Sequence, residues 1–76
     1  MWWYFVKLNE TETAIVYAYG YESKITTGQF EYDKIKNKAK ILKYADNHTE
    51  KIDIQYPAFQ LVQDYGNLER KIIAYG

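Results

Sequence analysis

Cysteine is absent from this 76-residue chain, which excludes disulfides, zinc–thiolate sites and thiol nucleophiles. Proline, serine and histidine occur once each, at Pro57, Ser23 and His48. The glycines stand apart at 20, 28, 66 and 76, so no glycine cluster opens a helix to cradle a phosphate. Neither sign of charge dominates: ten lysine and arginine side chains face ten aspartates and glutamates. A dedicated nucleic-acid binder normally carries a basic excess. The apolar start, Met-Trp-Trp-Tyr-Phe-Val, ends at Lys7, too soon for a signal peptide or a membrane span. The two Asn-x-Thr triplets, at Asn9 and Asn47, therefore match the glycosylation pattern by coincidence. The expectation is a cytoplasmic protein of a reducing compartment, with no membrane association.

What the chain has in quantity is aromatic surface. Rings make up 18% of the residues, and nine of them are tyrosine. One domain over residues 1–76 is expected, near the lower size limit for folding without covalent staples. Ordering costs about 1.5 kcal/mol per residue, so rings that each bury roughly 150–250 Å² must supply much of the compensation.

The periodicity gives the element order. Residues 2–8 are aromatic and β-branched and read as a strand, followed by a polar turn at 9–12. Residues 13–22 alternate most clearly, with Ile15, Tyr17, Tyr19 and Tyr21 on one side and Ala14, Val16, Ala18 and Gly20 on the other. A turn from Ser23 to Gly28 leads into a strand at 29–33. A second turn at 34–38, with Asn37 suited to the left-handed conformation, leads into a strand at about 39–45. Beyond Asp46, Ile54, Ala58, Leu61, Val62 and Tyr65 recur at helical spacing, and Gly66 is the natural stop. Asn47 and Glu50 resemble a capping box, so the spacing predicts a helix from about residue 49, kinked at Pro57. Residues 70–76 read as a last strand. The fold class is α+β: an antiparallel four-stranded meander, one helix and a short fifth strand, β-β-β-β-α-β.

No constellation announces chemistry. Ser23 and His48 are a turn serine and a solvated or capping histidine more simply than a catalytic pair. Asp46, His48 and Glu50 have ligand-like spacing, but polar residues gather at helix starts without any metal. Glu22, Glu31 and Asp33 suit the solvated side of an antiparallel strand. No cofactor is expected, and no enzymatic activity. Lys34, Lys36, Lys38, Lys40 and Lys43 form the visible charge run. Across residues 33–51, six lysines oppose Asp33, Asp46 and Glu50, an excess of +3. Edge-strand lysines discourage sheet-to-sheet pairing, a simpler account than a nucleic-acid grip, which ranks third among the readings, ahead only of an enzyme.

One helix covers one face of a five-stranded sheet. The small side chains of residues 13–22 let a helix approach closely, so they are expected beneath it with Val6 and Leu8. Trp3, Phe5, Tyr17, Tyr19 and Tyr21 would then form an uncovered aromatic face. That face suggests a homodimer or a protein partner, a groove for a small molecule or peptide, or a plain tyrosine-rich surface half-solvated through its hydroxyls, with no specific partner. The opposite assignment would bury several tyrosine hydroxyls, each of which needs a partner.

Overall fold

The computed structural model describes residues 1–75. It contains β1 (Trp2–Glu10), β2 (Ala14–Tyr21), β3 (Gly28–Asp33), β4 (Lys38–Lys43), α1 (Gln55–Tyr65) and β5 (Arg70–Ala74), in the expected order. The five strands form one sheet, β4-β3-β2-β1-β5, with every neighbouring pair antiparallel. Gly76, the end of the expected last strand, lies outside the described residues.

Local chemistry places the turns. Asn37 takes φ 55° between β3 and β4, where a short polar side chain tolerates the left-handed region. Asp33 Oδ1 accepts from the N–H groups of Ile35 and Lys36 at 2.8 and 3.0 Å, closing the same turn. Gly28 has a steric role. A Cβ there would lie 2.5 Å from the Ala45 nitrogen and 2.8 Å from its Cα, so only glycine lets the chain leaving β4 cross β3 this closely.

The helix begins at Gln55, later than the capping-box reading of Asn47 and Glu50 requires. Asn47 has φ 67° and belongs to a loop over 44–54, turned by His48 N–H to Ala45 O and Ile52 N–H to Thr49 O. Asp53 serves the helix start instead, its Oδ1 accepting from Gln55 N–H at 2.9 Å. Pro57 is then the third helical residue, where a missing N–H goes unnoticed and no kink is needed. The first helical bond runs from Ala58 N–H to Ile54 O, 2.9 Å. At the other end Gly66 closes the helix, and Lys7 Nζ donates to its carbonyl at 2.6 Å. A cation there complements the helix dipole.

The core reverses the expected facing of the sheet. Trp3, Phe5, Ile15, Tyr17, Tyr19, Phe30, Tyr32 and Ile73 are buried against Ala45, Ile54, Ala58 and Leu61. The large rings lie under the helix, whereas Val6 is only half-buried and Leu8 is exposed. The objection to burying tyrosines was their hydroxyls, and most of those find partners. Tyr19 bonds His48 and Ala45, Tyr32 donates to Asn37, and Tyr75 donates to Gln60. Ring burial then dominates, because each apolar Å² removed from water is worth about 25 cal/mol.

Candidate functional site

Trp3, Phe5, Tyr17, Tyr19 and Tyr21 do come together, but as core rather than as an exposed interaction face. Trp3 and Phe5 stack with ring centroids 6.3 Å apart, and Phe5 meets Tyr17 edge-on at 6.3 Å. Tyr21, half-buried, tilts against Trp3 at 4.8 Å.

At the Trp3 end of this row sits His48, 5% exposed. It is neither a solvated loop residue nor a helix cap. Its ring packs against Trp3, Tyr19, Tyr21 and Tyr44 at centroid distances of 5.0–5.6 Å. Nε2 lies 2.7 Å from the Ile52 carbonyl, which can only accept, so Nε2 carries the proton. In that tautomer the Tyr19 hydroxyl, 2.5 Å away, donates to Nδ1. That hydroxyl in turn accepts from Ala45 N–H at 3.1 Å. The network fastens the 44–54 loop to β2, and both imidazole nitrogens are consumed by it.

Among the described residues, two buried polar atoms have no hydrogen-bond partner: Trp3 Nε1 and the Tyr17 hydroxyl. Burial, reinforced by the nearby Glu10 charge, pushes the Tyr17 phenol up to about 12. Burial also raises Tyr19 and Tyr32.

The other sequence candidates are dispersed. Ser23 Oγ accepts from Ile25 N–H at 3.0 Å, as a turn serine does. Glu22 lies 3.7 Å from the N-terminal ammonium. The backbone N–H groups of Lys36 and Ile35 hold the Asp33 carboxyl below its ordinary range. Asp46, His48 and Glu50 do not converge, and no metal-ligand cluster is present among the described residues. Along the lysine run, Lys34 pairs with Glu10 at 2.6 Å, and Lys38 and Lys40 stand opposite Asp33 and Glu31 in the β3–β4 register. The described residues enclose no cavity, and none of their helices is long and apolar enough to cross a membrane.

The surface left without a covering layer is the other side of the sheet. Strand alternation puts Trp2, Tyr4 and Val6 of β1 there, with Val16 and Ala18 of β2 and Ile72 and Ala74 of β5. The register sets Tyr4 between Gly20 and Ile72, Val6 between Ala18 and Arg70, and Trp2 beside Ala74. Arg70 Nη1 donates to the Tyr4 hydroxyl at 3.3 Å. Toward β3 and β4 the same side turns polar, with Gln29, Glu31 and Lys40. Sequence reasoning overlooked this surface because it assigned Val6 to the core. The alternation of Trp2, Tyr4 and Val6 in β1 was the available signal. Comparison with protein families, with characterised proteins and with solved structures gives no match to this chain.

Proposed function

We propose that this chain is a non-enzymatic interaction domain that associates with a second copy of itself through its sheet, where the apolar row of the helix-free side reaches the β5 edge. The observation that carries the reading is the row Trp2, Tyr4, Val6 and Ile72, an apolar and aromatic surface lying where the fold supplies no second layer. Tyrosine and tryptophan are favoured anchors at protein interfaces, since they bury large area with little loss of rotamer freedom. A second copy suits the surface because charges of both signs border it: Arg70 on one flank, and Glu31 with Lys40 on the other. Such a rim is self-complementary under a two-fold axis. A cytoplasmic setting belongs to the same reading, supported by a core assembled from rings without any disulfide.

Sedimentation equilibrium over roughly 10–300 µM, a range suited to micromolar association, tests it. The average mass should climb toward twice the monomer value. Ile72→Lys, which charges the apolar row, should hold the chain at monomer mass. A wild-type chain that stays monomeric across the whole range rejects the proposal.

A further inference from the structure

The two edges of the sheet are finished differently. At the β4 edge, the Gln55 carboxamide occupies the backbone of Ala39: Oε1 accepts from Ala39 N–H and Nε2 donates to Ala39 O, both at 2.7 Å. The side chain acts there as a one-residue strand, and Lys38, Lys40 and Lys43 lie exposed along the same strand. Charged side chains and a satisfied backbone are the usual ways of closing a sheet edge.

The β5 edge has no side chain seated on its backbone, and its charges, Arg70 and Lys71, are confined to its first two residues. Tyr75 N–H donates to Met1 O at 2.8 Å, the Met1 ammonium donates to Tyr75 O at 2.9 Å, and Lys7 N–H donates to Glu69 O at 2.7 Å. These inward bonds fix the alternation of the ladder. Glu69, Lys71, Ile73 and Tyr75 turn their backbone groups toward β1, so Arg70, Ile72 and Ala74 turn theirs outward. Among the described residues no side chain or loop bonds those outward groups.

We infer that self-association, taken from the reading above, proceeds by antiparallel pairing of β5 with β5 of a second copy, centred on Ile72. With that centre, Ile72 meets Ile72 of the second copy, and Arg70 meets its Ala74. Three outward N–H groups and three outward carbonyls on each strand then all find partners, six hydrogen bonds in total. The charges allow it. Arg70 and Lys71 both lie at the start of β5, so antiparallel pairing sets them against Ala74 and Ile73 of the other copy, never against each other. At β4, by contrast, a lysine-rich strand would meet another lysine-rich strand. The product is one ten-stranded sheet, with the apolar row of each copy continuing across the Ile72 seam and the two helices on the same side.

Ala74→Pro and Val16→Lys separate this geometry from face-to-face stacking. Ala74 N–H points away from β1, so proline there removes an outward donor while leaving the inward ladder intact, as edge prolines do. Val16 lies on the helix-free side of β2, two strands from the edge. Edge pairing requires that Ala74→Pro sediment as a monomer and Val16→Lys still self-associate. A dimer that survives Ala74→Pro but is lost in Val16→Lys overturns the edge geometry and leaves the broader self-association standing; a monomeric wild type removes both. Amide exchange of the wild type guards against a misfolded variant. The N–H groups of Arg70, Ile72 and Ala74 should exchange more slowly as concentration rises, and concentration-independent exchange at all three contradicts the pairing.

Discussion

Tyr17 and Tyr19 sit two residues apart on the same strand, are equally buried, and should respond oppositely to loss of the hydroxyl. The Tyr17 hydroxyl has no partner among the described residues, so the fold carries its desolvation penalty of about 1–3 kcal/mol without return. Tyr17→Phe removes that penalty and keeps the ring contacts with Phe5 and Phe30. The expected change is a stabilisation of about 1 kcal/mol, a rise in Tm of roughly 4–8 °C for a domain this size. Tyr19→Phe deletes a hydroxyl that donates to His48 and accepts from Ala45, and it strands both groups. At about 1–3 kcal/mol for each of the two orphaned groups, the loss should be roughly 2–6 kcal/mol. Urea unfolding followed by tryptophan fluorescence and circular dichroism measures both. Alkaline pH supplies a second readout. The folded Tyr17 phenol titrates at about 12 and an unfolded one near 10. Below pH 10 the proton is held in both states and stability is unaffected. Between 10 and 12 only the unfolded chain releases it, so stability falls by up to about 2.7 kcal/mol. Tyr17→Phe should lack that portion of the decline. A Tyr17→Phe protein less stable than wild type, with an unchanged alkaline slope, would refute the assignment of an unpaired hydroxyl.

Two further substitutions probe the loop and the blocked edge. His48→Ala empties the space between Trp3 and Tyr44 and strands the Ile52 carbonyl and the Tyr19 hydroxyl; a loss of about 3 kcal/mol is expected, read by thermal unfolding, whereas an exposed loop histidine would leave Tm within a degree or two. Gln55→Ala uncovers Ala39 N–H and C=O, which should lower stability by about 1–2 kcal/mol and speed aggregation on heating, followed by light scattering.

Much of the architecture was legible in local pattern. Alternation in residues 13–22 marked β2 and divided it into a ring side and a small side, and Asn37 marked the β3–β4 turn. The stripe Ile54, Ala58 and Leu61 marked the helix face that the core receives. The start of the helix was misread, because Asn47 and Glu50 satisfy a capping pattern that the left-handed backbone at Asn47 and the turns of the 44–54 loop then override.

Sequence alone therefore determined that the two sides of β2 differ; it did not determine which side lies beneath the helix. That choice turned on whether a buried Tyr19 hydroxyl could find partners, and those partners, His48 and Ala45, lie 29 and 26 residues away. Strand periodicity is a property of neighbouring residues, set by the two-residue repeat of the pleat. Satisfaction of a buried hydroxyl is a property of whatever the folded chain brings within about 3 Å, and here only the path of the 44–54 loop supplied it.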